Sequence, residues 1–264
     1  FIYIIGSLNM FTYKCEIQSG PMLEIKYYKS LRKRNKKNLS RSINRAITSE
    51  KMAMANRIRG EQHTQRLILA NFKQGDWWVR FSAPYQNFTE EEFEKTVSNF
   101  FKRIKYHAKK QGLQFKYIGF CECGKRGSNW HLHIIIEDCV KDIAMKMWQW
   151  SNGINLTALY EDGSFADLAK YIRKDVTGTK RLKTSRNLTK PTVTVTEGKK
   201  REFKKLEKGE ALQIPQGYYL VRDEMWVNDF TGANYHFVFM QLRMNHKRYA
   251  VEYTKEAKNE SKAN

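Results

Sequence analysis

Hydrophobic and polar positions follow two rhythms along this chain, one of period two and one close to 3.6. The stretch DWWVRFSAP (76–84) is rich in aromatic and β-branched residues and predicts a strand stopped by Pro84. TEEEFEKTVSNFFKRIKYHAKKQG (89–112) predicts a helix. In it Thr89 and Glu92 form a capping box, Phe93, Val97, Phe100 and Ile104 make an apolar stripe, and Gly112 ends the run. FKYIGFCEC (115–123) and WHLHIII (130–136) read as two strands joined by the Gly-rich turn GKRGSN, and so as neighbours in a sheet. KDIAMKMWQW reads as a helix ending at SNG, INLTALY as a strand, and SFADLAKYIRKDV as a last helix. The order over residues 61–176 is βαββαβα, which predicts an α+β sandwich of ferredoxin-like type.

The flanks read differently. YKCEIQSGPMLEIKYYKS predicts a hairpin turning at Gly20-Pro21, and SRSINRAITSEKMAMANRIRG a helix with one strongly basic face. After residue 176 comes a basic block, Lys180 to Lys208, followed by GYYLVRDEMWVNDFTGANYHFVFMQL, two strands around Asp229–Asn234. Three parts are therefore expected: residues 1–60, a hairpin with a basic segment; 61–176, the central core; and 177–264, a basic segment with a C-terminal β extension.

Charge changes this picture most. The 264 residues carry 48 Lys+Arg against 27 Asp+Glu, a formal net charge of +21. Between Lys26 and Gly60 alone there are twelve Lys/Arg and one acid, Glu50. A surplus of that size points to a polyanionic partner, nucleic acid before an acidic membrane. The 13% aromatic content adds surfaces on which unpaired bases can stack. The four cysteines do not make a disulfide framework and fit a reducing cytoplasm; they read as small buried residues, and CEC has no second Cys/His pair at structural-zinc spacing. No stretch approaches the ~20 apolar residues of a membrane span. FIYIIGSL is too short for one and lacks the basic start of a signal peptide, and Met10 and Met22 are alternative starts for a chain that opens on Phe1. There is no G-x-x-x-x-G-K-[ST], hence no P-loop module in these residues.

Candidate chemistry gathers on the 130–136 strand. Residues two apart share a strand face, so His131, His133 and Ile135 line one side while Leu132, Ile134 and Ile136 line the other. Two adjacent imidazoles form half of a metal site, or a pair of hydrogen-bonded structural histidines. Pairing across the hairpin brings Glu122, nine residues before His131, toward them. Two histidines and a carboxylate with open positions suit Mg²⁺ or Mn²⁺ better than a dedicated zinc site. On the last helix Phe165, Leu168 and Ile172 form the apolar stripe, and a helical wheel puts Asp167, Tyr171 and Lys174 on another side. Tyr171 is therefore either an exposed structural tyrosine or a nucleophile. A phenol of ordinary pKa about 10 is activated by a nearby cation.

FKQGDWWVRF, HLHIII and LAKYIRKD, in that order, resemble the three motifs of the HUH endonuclease superfamily. More closely, the chain is similar to the replication-associated (Rep) proteins of rolling-circle plasmids, phages and integrated elements. TSRNLTKP (184–191) resembles a stretch that follows the tyrosine helix in that group, and the similarity covers roughly residues 12–240. The resemblance implies a ferredoxin/RRM-like fold with a five-stranded antiparallel sheet and the paired histidines at its centre. It implies His131, His133 and Glu122 as ligands of a divalent metal, Mg²⁺ or Mn²⁺, Tyr171 as nucleophile and Lys174 as the motif lysine. The implied activity is site-specific nicking and joining of single-stranded DNA through a 5′-phosphotyrosine, at an origin strand or hairpin. A host helicase and DNA polymerase would act beside it in the cytoplasm, and an oligomer is compatible with this.

Two departures stand out. Many relatives have hydroxyl residues in the first strand, where this chain has Arg80 and Ser82. Some carry a second tyrosine one turn away, where this chain has Asp167 and Asp175, which places it in the single-tyrosine class. DNA contacts are expected from Arg32, Lys33, Arg34, Lys36, Lys37, Arg80, Arg126 and Arg186. Asp167 is read either as a base that activates water to end the cycle or as the N3 acid of a capping box begun by Ser164. A mobilisation relaxase or single-tyrosine transposase would use the same residues. A non-catalytic single-strand-binding module, stacking bases on Tyr117 and Phe120, would not need them together.

Overall fold

Thr89 and Glu92 do form a reciprocal cap: the Glu92 N–H donates to Thr89 Oγ1 (3.3 Å) and the Thr89 N–H to Glu92 Oε2 (2.9 Å). They start one of the five α-helices of a computed structural model that describes residues 10–33, 49–84, 86–124, 129–159, 164–174 and 182–242. Among these residues the protein is α+β, with two antiparallel five-stranded sheets in two separate units. One unit is residues 48–190; the other joins 1–47 to 191–264.

The 48–190 unit runs α1 (Glu50–Asn71), β3 (Trp77–Ser82), α2 (Glu90–Lys110), β4 (Tyr117–Cys123), β5 (Trp130–Ile136), α3 (Asp138–Met147), β6 (Ile154–Ala158), α4 (Ala166–Arg173) and β7 (Lys183–Thr184). The sheet order is β6-β3-β5-β4-β7, so the strand carrying the histidines is central. Period-two alternation divides the sheet. Val79, Phe81, Cys121, Leu132, Ile134 and Ile136 face α2 and α3 and join one core with Phe93, Val97, Phe100 and Ile104. Phe100 is fully buried against Phe81 and Trp148, and truncating such a ring costs about 3–5 kcal/mol. Gly119 is required behind the central strand, because a Cβ there would stand 2.0 Å from the His133 carbonyl oxygen. The Asp76 of the GDWW run is a fastener. Its carboxylate accepts from the Lys73 N–H (2.8 Å) and from the Asp138 N–H (3.0 Å) at the start of α3, which has no side-chain cap of its own.

The other unit is built from both flanks. The hairpin β1 (Phe11–Ser19) and β2 (Met22–Ser30) turns at Gly20-Pro21 and joins β8 (Thr192–Glu197), β9 (Tyr218–Asn228) and β10 (Gly232–Gln241) in the order β8-β1-β2-β10-β9. α5 (Lys200–Glu207) packs Phe203 and Leu206 against Ile25, Tyr27, Phe237 and Phe239.

Several elements differ from the expectations above. The boundaries fall at 47/48 and 190/191 instead of 60/61 and 176/177, because β2 pairs with β10 and the two flanks share one sheet. The basic stretch after 176 contributes β7, the fifth strand of the central sheet. α1 is capped by Ser49 and runs on to Asn71, past the expected end at Gly60. Its buried residues crowd into the last turns (Thr64, Leu67, Ile68), while Met52, Met54 and Ile58 are exposed, so no stripe of regular period announces it. Cys15 and Cys121 are buried as expected, but Cys123 is half-buried and Cys139 exposed. Among the described residues no helix is long and apolar enough to cross a membrane.

Candidate active site

The face of the central sheet turned away from α2 carries Trp78, Arg80 and Ser82 from β3, Phe120 and Glu122 from β4, and His131 and His133 from β5. Cross-strand register fixes their neighbours: Arg80 and Phe120 flank His133, and Ser82 and Glu122 flank His131. Their proximity therefore follows from pairing, not from any local motif.

His133 is only 6% exposed. Its ring lies between Phe120 (centroids 5.1 Å apart, 14° between planes) and Trp78 (5.6 Å, 28°). Its Nε2 is 3.1 Å from Glu122 Oε1, yet neither ring nitrogen completes a hydrogen bond, since the carboxylate is close but poorly aligned. Burial pushes the His133 pKa down to about 4, against the opposing pull of the Glu122 carboxylate; His131 and Arg80 push the same way as burial. His131 is half-buried, with Nδ1 2.8 Å from Ser82 Oγ. Its pKa is also lowered, first by desolvation and then by Arg80. Both imidazoles are thus neutral near pH 7, the form that ligates metals. If Ser82 accepts the Nδ1 proton of His131, Nε2 is left with a lone pair, the outer-shell arrangement that orients histidine ligands.

The donor set, two neutral imidazoles and a carboxylate, fits a divalent cation, and the two unsatisfied buried nitrogens of His133 are what such an ion would satisfy. The histidine rings are 6.1 Å apart, and among the described residues no three His, Cys, Asp or Glu side chains are already drawn together as a metal cluster.

α4 brings Tyr171 over this face. The helix buries Ala169 and Ile172, with Leu168 half-buried, and leaves Tyr171 44% exposed. The tyrosine ring meets Trp78 edge-on (6.1 Å, 85°), Phe120 (6.1 Å) and His133 (6.3 Å, 69°). α1 holds α4 in place: Gln65 Nε2 donates to the Ser164 carbonyl (2.9 Å), and the Arg173 guanidinium lies where a Cβ on Gly60 would stand, 2.3 Å from that position. The N-cap of α4 is Phe165, in a left-handed conformation (φ 52°), and makes no side-chain capping bond. The expected capping box from Ser164 is therefore not present, and Asp167 stands exposed in the first turn, one turn before Tyr171. Lys174 is exposed at the C-cap with extended backbone, so the helical wheel that groups it with Tyr171 stops short of it.

The expected DNA contacts scatter. Arg80 is exposed on the histidine face, Arg32 and Lys33 are exposed just after β2, and Arg186 is exposed in the turn after β7, beside the opposite face of the sheet. Arg34, Lys36, Lys37, Arg126 and Asp175 lie outside the described residues. The roles of Trp78, as one wall of the His133 slot, and of Ser82, as partner of His131, were not read from sequence. The alternation of DWWVRFS already placed Trp78, Arg80 and Ser82 on one face; what was missing was the pairing of that strand with the histidine strand.

Residues 83–176 match a family model of replication-associated proteins, the ORF2 group. The match begins just after β3 and spans Glu122, His131, His133, Asp167, Tyr171 and Lys174, and it supports a Rep-type, replication-associated protein that acts on DNA. No curated protein and no solved structure matches the chain significantly.

Proposed function

We propose that this chain is a single-tyrosine HUH-type endonuclease and strand transferase that nicks a DNA strand to initiate rolling-circle replication. The observation that carries the reading is the placement of an exposed Tyr171 against His133, with the Glu122 carboxylate 3.1 Å from the same imidazole. The strand order β6-β3-β5-β4, with helices after the first and third of these strands in the chain, supports a ferredoxin-like HUH core. A phenol that leaves the apolar face of its helix to cover neutral histidines has little to contribute to packing and much to contribute to chemistry.

In this reading His131, His133 and Glu122 hold Mg²⁺ or Mn²⁺, which when bound polarises a non-bridging phosphate oxygen. Tyr171 Oη attacks phosphorus in line. The P–O3′ bond breaks, the 3′ oxygen takes up a proton, the phenolic proton passes to solvent, and a 5′-phosphotyrosine remains. One phosphodiester replaces another, so the strand can be rejoined without ATP. Arg80, exposed beside the histidines, can meet the phosphate backbone, and Lys174 can steady the phosphate at the end of α4. The free 3′-OH would prime a polymerase behind a separate helicase.

The test is incubation of the protein and Mn²⁺ or Mg²⁺ with circular single strands carrying candidate origins, scored for a covalent protein–DNA adduct. Wild type should form it. Tyr171→Phe should form none while binding DNA within about twofold of wild type. An adduct from Tyr171→Phe would assign the nucleophile elsewhere.

A further inference from the structure

The C-terminal half of α2 and the turn after β7 wall a groove of about 570 Å³ on the α2 side of the central sheet. On α2, Phe101, Lys102, Lys105 and Lys109 fall three to four residues apart and so share one helix face. Arg186 and Asn187 close the other wall. The floor is aromatic: Phe101 lies 4.2 Å from Tyr117, and Tyr117 5.0 Å from Phe115, with Phe101 and Tyr117 half-exposed.

Its charge is one-sided. Lys102, Lys105, Lys109 and Arg186 are all exposed, and no acidic residue lines the groove. Elsewhere on this unit lysines find carboxylates, as in Lys183–Glu94, Lys116–Glu137 and Lys141–Asp138. Among the described residues none of the four groove cations has such a partner. Like charges one turn apart weaken a helix, so a row of them over half-exposed rings suits an anionic ligand with flat faces. A single nucleic-acid strand has both features, phosphates for the cations and unpaired bases for the shelf.

We propose that this groove binds a segment of single-stranded DNA remote from the histidine face. Odd-numbered β4 residues such as Tyr117 face α2 and even-numbered ones such as Glu122 face Tyr171, and the two lie about 17 Å apart along the strand. The groove therefore grips DNA flanking the reactive phosphate, an assignment of register that rests on the nicking function, whereas the binding itself does not.

The experiment uses the full chain in a Tyr171→Phe background, so that cleavage plays no part. Labelled oligo(dT) of about 30 nucleotides is titrated with this protein and with the same protein carrying Lys102→Gln and Lys105→Gln, at several salt concentrations. Both substitutions are on an exposed helix face, and an unchanged thermal melt verifies folding. The expected result is about tenfold weaker binding and a log K versus log salt slope shallower by roughly 1.4, two phosphate contacts fewer. Oligonucleotides with 5-iodouracil should photocrosslink to Phe101 or Tyr117. Unchanged affinity and slope, or crosslinks confined to the β4–β5 face, would overturn the proposal. An equal loss for duplex DNA would reduce the groove to a phosphate ridge and remove the base-stacking shelf. Failure of wild-type protein to form an adduct would overturn the nicking reading and leave these measurements standing.

Discussion

Glu122 Oε1 stands 3.1 Å from His133 Nε2 without forming a hydrogen bond to it. A carboxylate that close to a buried, neutral imidazole, yet misaligned with it, is set for a third party between or beside them. Replacing Glu122 with Gln keeps the shape and removes the charge. The expected outcome is Mn²⁺ affinity lower by about 10–100-fold, read by calorimetry, with adduct formation falling in step and recovering in part at higher Mn²⁺. His133→Ala should abolish both. Undiminished Mn²⁺ binding by His133→Ala would remove the metal from this face.

Acid should unfold the protein through the same ring. His133 titrates near 4 in the folded protein and about 6.5 when unfolded. Above pH 6.5 the ring is neutral in both states and exerts no pH-dependent pull. Between 6.5 and 4 the unfolded chain binds the extra proton, so stability falls as pH falls, by about 3 kcal/mol at most. Denaturant midpoints should show this decline, and His133→Gln should flatten it. An identical pH profile in the variant would place the acid sensitivity elsewhere.

Asp167 offers a sharper choice now that Phe165, not Ser164, caps α4. With no capping box to maintain, Asp167→Asn loses only a favourable interaction with the helix N-terminus, roughly 0.3–1 kcal/mol of thermal stability. We propose that its carboxylate activates water against the tyrosyl adduct. In single turnover the first nick of Asp167→Asn should stay fast while the adduct persists about 100-fold longer. Equal adduct lifetimes would leave Asp167 with the helix terminus alone.

Salt should separate the charged surfaces. Each neutralised phosphate contributes about −0.7 to −0.9 to the slope of log K against log salt. Reversing Arg32 and Lys33, exposed just after β2, should make the slope shallower by roughly 1.4 to 1.8 if both contact DNA. An unaltered slope would put that segment away from the nucleic acid.

Local signals were legible in the sequence and non-local ones were not. The α2 stripe Phe93, Val97, Phe100 and Ile104 and its Thr89–Glu92 cap are both set within one helix, and both are found as read. The alternation placing His131 and His133 on one face also needs no partner to be seen. The Ser82–His131 contact depends on the register of β3 against β5, which neither strand encodes alone. The αL conformation of Phe165 arises where α4 begins beside α1, and a residue of that type gives no warning of it. The shared sheet of the two flanks is hidden for the same reason at longer range, since Tyr27 pairs with Tyr235.

That last pairing bears on how the protein is made. A ribosome delivers β2 early and β10 only after the whole 48–190 unit has emerged, so the hairpin waits with an unpaired strand edge while the intervening unit has all its strands in hand. Contacts this distant in sequence form slowly. Folding of the nascent chain should therefore proceed from the middle outward, and a chaperone that shields exposed strand edges would find its substrate in β2 during that interval.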